Sequence, residues 1–356
     1  MTNWPQSEYK AKNSQRVIRN ITVLWALSES ALGGFLHAAR LPFTGLFISS
    51  AAVIFISLIG YYAPKRGAIL NATLTVIIIK GLISPHTPPN AYFAVLFQGI
   101  SGELLFSSPL FYRAAALTLG VLCLLQSALQ KLIIITIVFG FAFWDSIDIF
   151  TSYILKQLPF LHLTSPNVHL SAYLIAFYLT LHLFSGIATG WFAGILPQRI
   201  KEHKKYFPEL AAAINDKEPQ KTFRKNQRKP WWRRPKKIAL FLFLTLLITI
   251  SYFDATLHQS QFTKTLIMLI RSLLIMNLWL FFISPIIMKY FNNYMDKRKR
   301  LREGDVQAVL NLLPFIKSAA KACWNYSARY KYFKRLFTFI ELLFMFVVNI
   351  KTENDE

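Results

Sequence analysis

Acidic residues are scarce in this chain: 17 Asp and Glu stand against 40 Lys and Arg in 356 residues, a formal charge of +23. Charged residues make up only 16% of the sequence and hydrophobic ones 54%, a balance that excludes a disordered chain and a water-soluble enzyme alike. Cysteine is nearly absent. Cys123, inside an apolar run, and Cys323, in a polar-faced segment, cannot build a disulfide framework or a metal cluster, and they read as small packing residues. Also missing are a Gly-rich phosphate loop ending in Lys-Ser/Thr, a Gly-x-Ser-x-Gly elbow and a His-Glu-x-x-His pair. His162, His169 and His182 show no ligand spacing and read as singly hydrogen-bonded histidines, and no cofactor is implied.

What the chain has in abundance is apolar runs near 20 residues long, the length that crosses a bilayer as helix. Expected spans are Ile18–Ala39, Phe43–Tyr62, Ala68–Ser84, Leu110–Leu129, Leu132–Leu155, Leu170–Leu196, Ile238–Leu257 and Leu266–Met288. The first lacks a small-residue exit site and reads as an uncleaved span. Cations set the orientation. Lys10, Lys12, Arg16 and Arg19 place the N-terminus in the cytoplasm, and 14 basic residues between Arg199 and Lys237 place that tract there too. An even number of crossings must separate them. The rule holds if Ala91–Phe106, with Gln98, Gly99, Gly102 and Glu103 in an apolar frame, is a re-entrant or broken segment.

The expected architecture is therefore an all-α integral membrane protein of the bacterial inner membrane, its N-terminus cytoplasmic. Residues 1–198 form a six-helix bundle with one broken segment, and residues 199–237 a basic linker. Residues 238–356 add two further spans and cytoplasmic amphipathic helices. In that last region Asp305–Leu313 and Phe315–Arg335 read as two helices broken at Pro314. Lys317, Lys321, Asn325 and Arg329 recur every four residues opposite Ile316, Ala320, Cys323 and Trp324. Such a cationic stripe suits anionic lipid or a docking partner, Lys317, Lys321 and Arg329 being the docking residues. The final run, Phe337–Ile350, is about 14 residues and reads as interfacial or tucked against the bundle. Nucleic acid is not an expected partner, because Lys and Arg beside spans already serve topology.

Ionisable side chains within hydrocarbon mark functional sites by default. Glu29, His37, Lys80, His86, Gln98 and Glu103 are the candidates for an outward-facing pocket. Arg40-Leu41-Pro42-Phe43-Thr44-Gly45 and the Pro-rich loop Ser84–Asn90 would form its mouth, with Pro42 and Gly45 as breakers. Ala26, Ser30 and Gly34, at i, i+4 and i+8, make a small-residue row for close helix contact. Asp145 and Asp148 share a helix face and are the alternative acid/base or magnesium-binding pair of an enzyme acting on a lipid or isoprenoid. A non-catalytic scaffold, recruiting a partner through its basic segments, is the third reading.

The six spans, the Ala26–Gly34 row, the Pro42-Phe43-Thr44-Gly45 loop and the outward polar loop before a short fourth element resemble the substrate-binding (S) components of energy-coupling factor (ECF) transporters. The resemblance covers residues 1–198. It implies uptake of a vitamin-like molecule or metal ion, bound near the outer surface and driven by a transmembrane coupling (T) protein and ATPases. It also implies that Ala26, Ser30 and Gly34 contact the coupling component. An S component ends after its sixth span; residues 238–356 share the layout of a coupling component. Their Ser327-Ala328-Arg329-Tyr330 carries that family's Ala-Arg pair without the glycine that follows it.

Overall fold

The computed structural model describes residues 4–32, 43–63, 66–83, 87–107, 111–157, 169–212, 243, 261–301 and 303–350. Among them there is no strand, as the apolar-run pattern requires. Helix α1 (Trp4–Leu27) continues into a π-helical turn, Ser28–Leu32. Then come α2 (Thr44–Tyr62), α3 (Ala68–Ile83), α4 (Pro89–Leu105), α5 (Tyr112–Phe139), α6 (Ala142–Gln157) and α7 (Leu170–His203). A short α8 (Phe207–Ala212) follows. Later in the chain, α9 (Gln261–Leu278) and α10 (Ser284–Leu301) are joined by the π turn Trp279–Ile283. The last two helices are α11 (Glu303–Tyr326) and α12 (Tyr332–Asn349).

Among the described residues, four helices are long and apolar enough to cross a membrane: Thr44–Tyr62, Tyr112–Phe139, Leu170–Ala212 and Ile270–Tyr290. Their outer faces carry large apolar groups that water would penalise. Phe177, Phe184, Trp191 and Phe281 are all more than half exposed. The chain is a multi-pass membrane protein. Apart from Phe243, the expected span Ile238–Leu257 lies outside the described residues, as does the linker beyond residue 212; residues 199–212, expected in the linker, are instead the end of α7, a 3-10 turn and α8.

Four boundaries differ from expectation, each for a local reason. Leu110–Leu129 and Leu132–Leu155 are not two spans parted at Gln130-Lys131. One helix runs through Lys131 to Phe139, about 42 Å long at helical rise. It stops at Gly140, whose φ of 76° only glycine adopts cheaply and whose N–H closes on Thr136 O at 2.8 Å. Next, Ala91–Phe106 is not broken. It lies in the continuous helix α4, and Gly99 and Gly102 serve close packing, since a Cβ there would collide with Thr73 and Ile56. Pro314 does not divide α11, which is continuous across it. Finally, Gly45 lies inside α2, where a Cβ would meet Ser127; the left-handed residue at that helix start is Phe43, φ 62°.

By contacts the chain forms two compact units, Met1–Ser127 with His182–Thr222 and Asn293–Glu356, and Ala128–Leu181 with Phe223–Asn292. In the first unit, α1 packs on α2 and α3, and α4 packs on the same two helices, making a four-helix group. Helices α11 and α12 also lie on α1, which is thereby covered on every side: Ile21, Val23, Trp25 and Ala26 are fully buried. Asn20 donates through Nδ2 to Val347 O at 3.0 Å, so the final apolar run is tucked against the bundle by a buried hydrogen bond. Within the same unit α5 and α7 cross at van der Waals minimum. Gly186, Gly190 and Gly194 recur every four residues along α7 and face Gly120, Ala116 and Arg113 of α5.

Candidate functional site

Among the described residues, the firmest polar feature inside the first unit is an ion pair. Lys80 Nζ lies 2.6 Å from Glu29 Oε2, the two side chains only 8% and 2% exposed. Lys80 stands in the last turn of α3, where the helix dipole favours a cation. Glu29 is the second residue of the π turn that extends α1. A π turn accommodates one more residue than an α turn, and such bulges recur at functional positions. Both charges are neutralised by each other, which is the condition for keeping either away from water.

The pair sits at one end of the four-helix group. Gly81, next to Lys80, faces the Tyr92 hydroxyl at the start of α4, and Tyr92 is hydrogen-bonded to the Thr87 side chain. Further in, Gln98 Nε2 donates to Ser49 Oγ at 3.1 Å, joining α4 to α2. Buried polar atoms without a hydrogen-bond partner among the described residues include Trp25 Nε1, Ser30 Oγ and Gln98 Oε1, as well as Asn20 Oδ1 on α1 and Ser57 Oγ on α2. Trp25 is fully buried, Ser30 3% exposed and Gln98 2% exposed. Each such orphan carries a desolvation cost of about 1–3 kcal/mol, so its persistence calls for a reason.

Glu103 does not join this group. Its carboxylate accepts the backbone N–H groups of Gly67, Ile69 (3.1 Å) and Leu70 (3.3 Å) and so caps the start of α3. That is the opposite end of the helix from Lys80, roughly 16 Å away at 1.5 Å rise per residue. Glu103 is therefore a cap delivered from a neighbouring helix, and the dipole at the α3 N-terminus holds its charge. Replacing it by alanine is expected to lower stability by about 1–2 kcal/mol in thermal unfolding, leaving ligand affinity untouched. His37, His86 and Gly34 lie outside the described residues. Ala26 and Ser30 of the small-residue row are buried, inside a helix wrapped by α2, α3, α11 and α12.

The two aspartates of α6 do not act as a unit. Asp145 is exposed in the first turn of the helix. Asp148 accepts Ser171 N–H at 2.7 Å and Ser171 Oγ–H at 2.9 Å, with His169 Nδ1 at 3.1 Å. It caps α7 as Glu103 caps α3. No group of three or more His, Cys, Asp or Glu side chains able to hold a metal occurs among the described residues.

On the C-terminal helices, Ile316, Ala319 and Cys323 are buried, and burial pushes the Cys323 thiol up to about 12. Lys317 and Lys321 are exposed on the other side. Arg329 leaves the expected stripe: it sits in the 3-10 turn Ser327–Arg329, 3.3 Å from Glu209 and stacked 4.2 Å above the Tyr326 ring. Trp324, expected on the buried side, is 43% exposed and covered by the Arg335 guanidinium at 4.2 Å. A partly buried contact, His203 with Glu341 at 3.6 Å, ties α7 to α12. Burial raises the Glu341 carboxyl above the ordinary range against the pull of His203 and Arg199.

The chain matches no family model, no curated protein and no solved structure. Its function has to be argued from these side chains alone.

Proposed function

We propose that this protein is a membrane uptake protein that binds a small nutrient, a vitamin-like molecule or a metal ion, at the end of the four-helix group marked by Glu29 and Lys80. In this reading the site opens outward, the N-terminus is cytoplasmic, and the membrane is the bacterial inner membrane. Residues up to 198 act as the binding bundle, in the manner of the energy-coupling factor substrate components they resemble. Translocation is driven by a transmembrane coupling protein with its ATPases.

The observation that supports it is the coincidence, within one four-helix group, of a desolvated ion pair between the π turn and α3 with unpartnered buried polar atoms on α1, that turn and α4. Buried donors and acceptors without protein partners are groups that a polar ligand can engage. The residues proposed to touch ligand are Trp25, Ser30 and Gln98, with Glu29 and Lys80 setting the local charge. His37 and His86 complete the proposed set.

Trp25→Phe, Ser30→Ala and Gln98→Met each remove an orphan atom while keeping bulk. Uptake of labelled vitamins and divalent ions by cells producing each variant is expected to fall about tenfold, the effect of one lost hydrogen bond near 1.4 kcal/mol. Thermal stability should hold or rise for Trp25→Phe and Ser30→Ala, whereas Gln98→Met also forfeits the bond to Ser49 and should lose about 1 kcal/mol. Unchanged uptake in all three would leave these atoms as packing imperfections and remove the site.

A further inference from the structure

The link between α11 and α12 has the composition of a bilayer-interface anchor, and its position in the fold supports that role. From Trp324 to Phe337 the sequence holds six aromatic residues and four cations, and no acid. The aromatics at its tip face outward: Tyr332 is 88% and Phe333 79% exposed, followed by Leu336 and Phe337 at nearly half. Exposed aromatic rings between cations are what the boundary of headgroups and acyl chains selects.

The two ends of this link are pinned at different depths along α7. Phe337 packs against Phe192 at 5.4 Å between ring centroids, within the apolar part of that helix. Tyr326 packs against Tyr206 at 5.9 Å, in the basic 3-10 turn Lys204–Tyr206 just after α7, which itself turns basic at Arg199 and Lys201. The link therefore passes through the height at which a spanning helix leaves hydrocarbon for headgroups. The cations divide into two kinds. Arg329 is engaged by Glu209 and Tyr326, and Arg335 by Trp324. Lys331 has no ion-pair partner among the described residues, and Lys334 rests only on the Tyr330 ring at 5.2 Å.

We infer that residues 330–337 form an interfacial anchor in which Tyr332 and Phe333 enter the bilayer boundary while Lys331 and Lys334 hold anionic lipid headgroups. The occupant is the anionic membrane surface. An acidic soluble protein would suit the lysines and leave the aromatic tip in water.

The test uses the full chain with Phe333→Cys, labelled with an environment-sensitive fluorophore; the native Cys123 and Cys323 are both fully buried. The labelled protein is reconstituted in phosphatidylcholine nanodiscs, with and without phosphatidylglycerol. Bromine on the acyl chains should quench the label, and aqueous iodide should fail to reach it. Phosphatidylglycerol should deepen this protection, and Lys331→Ala or Lys334→Ala should each reduce the lipid-held to water-exposed ratio about fivefold. A label equally open to iodide in both discs would overturn the proposal, as would a phosphatidylglycerol effect that survives removal of both lysines.

Discussion

Lys80→Met is expected to lower the unfolding free energy by about 3–5 kcal/mol, because it strands the Glu29 carboxylate in a site where only 2% of its surface is open. The same cost follows from Glu29→Leu, which leaves the ammonium uncompensated. The double replacement Glu29→Leu with Lys80→Met removes both charges at nearly constant volume and is expected to recover most of that loss. Thermal unfolding of the three proteins in one detergent measures the coupling between the two positions. Uptake then separates two roles. A pair that only holds the helices together regains uptake when stability returns. A pair that sets the charge of the binding site regains stability without regaining uptake.

The second large effect belongs to the crossing of α5 and α7. A Cβ on Gly190 would lie 2.6 Å from Leu117 Cα and 2.7 Å from the Ala116 carbonyl oxygen. Both are backbone atoms, so the helices have to separate to admit it. Gly190→Ala is expected to cost about 2–3 kcal/mol, the upper end for overpacking, and Gly190→Leu to prevent the pair from assembling. One turn away, a Cβ on Gly194 would meet Arg113 at no closer than 3.5 Å, an ordinary contact. Gly194→Ala should be neutral or slightly stabilising, since alanine is the better helix former. Equal losses at 190 and 194 would show that the interface is not set by backbone approach. The readout is thermal unfolding in detergent.

Much of the helical frame is legible in the sequence. Helices α2 and α3 fall within a residue of the apolar blocks at Phe43–Tyr62 and Ala68–Ser84, because Tyr-Ala-Pro-Lys and Ser-Pro end those blocks sharply. The break in Leu110–Leu155 was harder to locate, since Gln130 and Lys131 look like a loop yet are good helix formers, and a single glycine nine positions after Lys131 makes the real stop. The Gly186-x-x-x-Gly190-x-x-x-Gly194 row is plain in the sequence, whereas its partners on α5 are set by the tertiary fold.

The site was legible in composition and not in geometry. Glu29 and Lys80 stand 51 positions apart, and nothing local says that they meet. Glu103 belongs to the same class of rare acids, but its partners are backbone N–H groups 33 to 36 positions earlier. Intramembrane charge flags importance without distinguishing a cap from a binding group; Asp148 repeats that ambiguity at the head of α7. The orphan atoms of Trp25, Ser30 and Gln98 could not be foreseen, because satisfaction is a property of neighbours.

The clasp of α11 and α12 on α1 has a consequence for biogenesis. The Asn20 amide waits for a carbonyl supplied 327 positions later in translation. Until then α1 has an unburied flank and an unmet donor, so chaperones and proteases have a long interval in which to recognise unfinished molecules. Ribosomes stalled before residue 347 would release chains marked for degradation by that same exposed flank.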